Sequence, residues 1–121
     1  MLSLLLLACA LFPEPPPPSD PAPVPVVLSP AARAGRIAFR AECQACHGFG
    51  AAGDGPAADA LDPTPADLRG RLHDTTEIVR RVRQGSEGSA MQPWRDRLEG
   101  EEIEQIAAWL AGLSAPEPEG S

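Results

Sequence analysis

Residues 43–47 read Cys43-Gln44-Ala45-Cys46-His47. Two cysteines three apart in a helical turn lie on one face, so both sulfurs can reach the same partner. A histidine directly after the second cysteine brings an imidazole to the same place. This is the attachment pattern of c-type haem, in which the thiols of Cys43 and Cys46 form thioethers with the two vinyl groups of one porphyrin edge and His47 ligates the iron. Other uses of a Cys-x-x-Cys fit less well. A zinc site wants two more Cys or His ligands, and only Cys9 and His73 remain. A thioredoxin-like thiol pair wants alternating strands and helices, a pattern this sequence lacks.

The rest of the composition agrees with a small cofactor-dependent domain. The chain has 121 residues, 43% hydrophobic but 4% aromatic, with no tyrosine and a net charge of −7. Nine of its 15 prolines fall between Pro13 and Pro30, which leaves roughly residues 31–114 able to fold. A core of that size is marginal without a staple or cofactor. The 17 acids face 10 arginines and no lysine, so there is no basic surface for wholesale nucleic-acid binding. Outside Glu14, Asp20, Glu117 and Glu119 the balance is only mildly acidic.

The N-terminal segment, residues 1–12, is an apolar run too short to span a membrane and reads as a signal-type sequence. Cys9, in Leu6-Leu7-Ala8-Cys9, is similar to the lipobox cysteine of bacterial lipoproteins, although no Lys or Arg precedes the run and Leu7 is larger than usual two places before the cysteine. Cys9 is also the odd cysteine once Cys43 and Cys46 are taken. Residues 13–30 cannot form helix or sheet and read as a spacer; in polyproline II geometry they reach about 55 Å. Residues 115–121 read as a disordered tail.

With the haem motif in place, the segment from Gly35 to Leu113 resembles class I, mono-haem cytochromes c of the small bacterial type associated with respiratory complexes. Ser29-Pro30 starts a helix as N-cap and first helical residue. Its Gly35-x-x-x-Phe39-x-x-x-Cys43 is similar to the family's N-terminal helix, whose glycine permits a close crossing with the C-terminal helix. Residues 98–110 match that second helix: Ile103, Ile106, Leu110 and Leu113 form its apolar stripe, acids occupy its first turn, and Trp109 stands where the family keeps an aromatic against the glycine. A third helix is expected over Thr75–Gln84, capped by Asp74 or Thr75 and stopped at Gly85. The fold class implied is all-α: about three main helices around one covalent haem, with a disordered proline-rich tether.

The resemblance also implies further site residues. Met91, in Gly88-Ser89-Ala90-Met91-Gln92-Pro93-Trp94, is similar to the family's ligand methionine, with Gln92 inserted before the proline; it is the sole methionine besides Met1. His73 is the competing sixth ligand. Pro65, in Pro63-Thr64-Pro65-Ala66-Asp67-Leu68, matches the proline whose carbonyl holds the non-ligating nitrogen of the haem histidine, with Pro56 as the alternative. The stretch Gly48–Ala58 lacks the lysine and the Gly-Lys-Ser/Thr ending of a phosphate loop and reads as flexible backbone around the porphyrin. Arg80, Arg81 and Arg83 read as an outward, solvated helix face.

The function expected is a single-electron carrier, not an enzyme, with no small-molecule substrate. Its partners would be redox protein complexes on the periplasmic side of a bacterial membrane, to which a lipid on Cys9 would anchor it. The alternatives are a fixed haem subunit of a larger oxidoreductase and a haem-based gas sensor; a thiol oxidoreductase stands third.

Overall fold

The computed structural model describes residues 12–19 and 27–113. Cys9, most of the N-terminal segment, part of the spacer and the C-terminal tail lie outside the described residues. Four helices and no strand are present among those residues: α1 (Pro30–Glu42), α2 (Gln44–His47), α3 (Thr75–Gln84) and α4 (Gly100–Ala111), with a 3-10 turn at Ala58–Ala60. No described helix is long and apolar enough to cross a membrane.

Helix ends follow local chemistry. Ser29 accepts from the Ala32 N–H at 3.1 Å, and Pro30, which has no N–H to waste, opens α1. Asp74 performs the same service for α3, accepting from Thr76 at 2.9 Å. α4 begins two residues later than the apolar pattern suggested. Leu98 belongs to the preceding turn, its N–H on the Trp94 carbonyl at 3.0 Å, and Glu99 and Glu102 form a reciprocal capping box. Leu113 lies beyond the helix but still packs on the core.

α4 is the centre of the packing, touching α1 on one side and α3 on another. α1 buries Ala32, Gly35 and Phe39, one face at helical spacing, against Ile106, Trp109 and their neighbours. Gly35 sits so close to the Gln105 carbonyl of α4 that any Cβ would collide with that backbone. The Phe39 and Trp109 rings meet at 4.9 Å and 54°, a favourable tilted pair. Ile78 and Val82 of α3 complete a core whose largest fully buried side chains are only Phe39, Ile78, Ile103 and Ile106.

Candidate functional site

The motif sits where α1 ends. Cys43 is at once the last cap of α1 and the first of α2, with its N–H on the Phe39 carbonyl at 2.7 Å. The His47 N–H returns to the Cys43 carbonyl at 2.9 Å, closing one helical turn around the five residues. Cys43 and Cys46 are both half-buried free thiols. Burial, with Glu42 and Cys46 adding to it, pushes the Cys43 thiol up to about 11. A protonated thiol is a poor disulfide-exchange nucleophile, which counts against the thiol-redox reading.

A helix of four residues leaves its carbonyls without partners. The following loop supplies them: Ala57, Gly55 and Gly53 donate to the carbonyls of Ala45, Cys46 and His47 at 2.8, 3.2 and 2.8 Å. The stretch read as flexible backbone is therefore a fitted cap on the motif. Gly55 is itself buried against the Ala45 backbone.

The His47 ring lies 6.1 Å from Phe39, and burial lowers its pKa, so the imidazole is neutral and keeps a lone pair for a metal. Its Nδ1 is sealed from solvent and has no hydrogen-bond partner. The expected carbonyl bond from Pro65, or from Pro56, is therefore not made at that nitrogen. Pro65 instead passes beside Gly53, where a Cβ would come within 2.5 Å of its carbonyl oxygen. It thus packs on the loop that caps His47 through backbone.

Met91 is half-buried and packs against the same core as Cys43. Its loop is clasped to the end of α3: Ser86 donates to the Met91 carbonyl at 3.0 Å, Trp94 to the Val82 carbonyl at 3.0 Å, and Ser89 Oγ accepts from the Met91 N–H at 3.2 Å. Gly85 closes the clasp at φ +72°, where a Cβ would lie 2.7 Å from the Met91 carbonyl. Sequence reading found Gly85 as a helix stop and missed this second role. His73 is exposed, with Nε2 3.0 Å from the Gly70 carbonyl, a local surface contact.

The charged residues are arranged around this frame. Glu77 receives Arg80 at 2.5 Å and Arg81 at 2.8 Å, so two of the three α3 arginines are paired on the surface, a link legible in their i+3 and i+4 spacing. Arg69 forks onto Asp67 and holds its carboxyl down at about 2.

The donor set fits a covalent haem. Two free thiols and an imidazole whose pKa burial lowers stand on one turn, and half-covered apolar side chains, Leu68, Leu72, Met91, Trp94 and Leu98, pack on the same core as Cys43. Among the described residues no cluster of three or more His, Cys, Asp or Glu side chains could hold a bare metal ion.

Comparison with known proteins points the same way. Residues 30–110 match the family described as cytochrome C oxidase, cbb3-type, subunit III. No curated protein matches the sequence. The fold is similar to a chain of the Kuenenia stuttgartiensis reducing HAO-like protein complex, with 24% identity and a TM-score of 0.63 over 84% of this chain and 52% of that one. It is also similar to cytochrome cL of the marine methylotrophic bacterium Methylophaga aminisulfidivorans, with 24% identity and a TM-score of 0.55 over 69% of this chain and 53% of that one. The chain thus spans about half the length of each, and the likeness is one of fold.

Proposed function

Because the chain belongs to the c-type cytochrome family described as cytochrome C oxidase, cbb3-type, subunit III, and holds haem c covalently as that family does, we propose that it is a one-electron carrier in which Cys43 and Cys46 anchor the haem and His47 and Met91 ligate its iron. When bound, the haem supplies a ferric/ferrous couple. The observation that carries the residue assignment is the single helical turn that sets the half-buried His47 imidazole beside two free, half-buried thiols.

Each residue then has a definite task. Cys43 and Cys46 hold the group through bonds that no change of redox state breaks. His47 offers a neutral nitrogen, oriented by backbone bonds at both its N–H and its carbonyl. Met91 offers a neutral, soft sulfur, which favours the ferrous state and a relatively high potential. With His47 and Met91 both given to the iron, no residue of the site would be left to bind a substrate, and the haem would supply outer-sphere electron transfer between redox proteins. A lipid on Cys9 and the spacer of residues 13–30 would hold the head near the periplasmic face of a membrane and let it shuttle between complexes there.

The second reading is a fixed haem subunit of a larger oxidoreductase. The family description names a subunit, and one fold neighbour is part of a complex. Purification of the haem-loaded chain from detergent-solubilised membranes separates the two. A carrier elutes alone at moderate salt; stoichiometric large subunits that stay through high salt make it a fixed subunit. Mass spectrometry of the mature N-terminus, in the same preparation, tests acylation of Cys9.

A further inference from the structure

Charge and polarity are unevenly placed on this acidic molecule. α1 turns Ala32, Gly35 and Phe39 inward. On the flank next to that face Arg33, Ile37 and Arg40 follow at i, i+4 and i+7, with Arg36 alongside; Arg33 and Ile37 are exposed, Arg36 and Arg40 half-buried. At 100° per residue these four lie in one sector about 100° wide and about 10 Å long. Glu42, the carboxylate of this helix, falls about half a turn away round the axis. Arg33, Arg36 and Arg40 form no ion pair among the described residues, as is true also of Arg71, Arg83 and Arg97; what sets the three apart is that they share one helix sector.

Apolar surface gathers at the same place. Ile37 is 65% exposed and Phe49 is 61% exposed. Phe49 is tied to the arginine sector by Arg40, whose guanidinium carbon lies 3.4 Å from the ring centroid and whose Nε donates to the Phe49 carbonyl at 3.2 Å. The large apolar side chains that stand exposed among the described residues are these two with Phe12 and Val27, all in the N-terminal part of the chain.

We propose that this flank of α1, with Phe49, is a docking surface for an anionic lipid bilayer. A single helix is convex, and two surface clefts of about 500 and 400 Å³ run along α3, lined by residues such as Thr76, Val79 and Arg80, with none from α1. A protein partner needs shape to read; a fluid layer of phosphate headgroups conforms to a convex face and needs only cations interleaved with apolar side chains. The exposed Glu101 and Glu104 of α4, the helix packed on the buried face of α1, would be repelled by the same headgroups, so the field sets an orientation as well as an affinity. The surface does not depend on acylation of Cys9 or on the choice of axial ligands.

The test is cosedimentation of the haem-loaded full chain, carrying Cys9→Ser to remove any acylation, with vesicles of phosphatidylcholine alone or mixed equally with phosphatidylglycerol. Binding to the anionic vesicles should exceed that to the neutral ones by about fivefold for each arginine engaged, and the excess should vanish in high salt. Arg33→Gln/Arg36→Gln should remove most of that excess with unchanged helical circular dichroism, and Ile37→Ser/Phe49→Ser should weaken the binding that survives salt. Equal binding to both vesicle types, or an anionic preference undiminished in the glutamine variant, would overturn the proposal. Salt-sensitive binding to polyglutamate with no vesicle preference would overturn it too, in favour of an acidic protein partner.

Discussion

His47 is held by its backbone on both sides, its N–H on Cys43 and its carbonyl under Gly53. Its ring, by contrast, has a buried nitrogen with nothing to bond. The adjacency of His47 to Cys46 was legible because attachment chemistry demands it. The environment of the ring was not, because residues 48–74 carry no periodic pattern from which a loop path could be read; hence Pro65 was expected at the imidazole and is found beside Gly53. Met91 was legible through its uniqueness, while the clasp that positions it, Gly85 against the Met91–Pro93 backbone, depends on a close approach that no residue type announces. At this scale the account predicts that Met91→Ala removes the sulfur-to-iron charge-transfer band of the oxidised protein and admits carbon monoxide to the reduced one. His73→Ala should change neither, since that ring is exposed and bonded locally to Gly70.

Elements were read well where capping chemistry marks their ends. Ser29-Pro30 and Asp74 begin α1 and α3 where they were expected to, and Gly85 ends α3. α4 was started too early because Leu98 continues its apolar pattern, and the pattern cannot tell a helix from the turn that feeds it. The crossing of α1 on α4 leads to a second prediction. Gly35→Ala would gain about 1 kcal/mol of helix propensity, yet its Cβ would strike the Gln105 carbonyl. Overpacking against backbone should dominate and lower stability by about 2 kcal/mol net, measured by denaturant unfolding; an unchanged or raised midpoint would mean the helices can part without cost. A third concerns pH. Arg80 and Arg81 hold the Glu77 carboxyl down at about 2, from an ordinary 4.5. A depressed carboxylate stabilises the fold fully above its unfolded value and loses that contribution as pH falls through the folded one. Glu77→Gln should therefore be less stable than the parent near neutrality and show a flatter decline in melting temperature between about pH 4.5 and 2.

For the molecule as a whole, the decisive feature is how little there is to bury. Four large side chains are fully enclosed, and Leu68, Leu72, Met91, Trp94 and Leu98 pack on the core while only partly covered. A domain this small with so few aromatics depends on its covalent group for much of its interior. The Cys43→Ala/Cys46→Ala chain, which cannot attach haem, should accordingly lose much of its helical circular dichroism and melt without a cooperative transition; a cooperative, fully helical haem-free form would show the protein core to be sufficient. The all-helical class was legible because motif, caps and apolar stripes agreed. The gathering of Arg33, Arg36 and Arg40 on one flank of α1 was not, because it appears only once the inner face is known. The central claim is an iron held by His47 and Met91 and closed to other ligands. The oxidised and reduced absorption spectra of the haem-loaded protein, followed by carbon monoxide, test it most directly. The account predicts a sharp c-type alpha band on reduction, a sulfur-ligand band on oxidation and no response to the gas. Haem without the sulfur band, binding carbon monoxide readily, would contradict it.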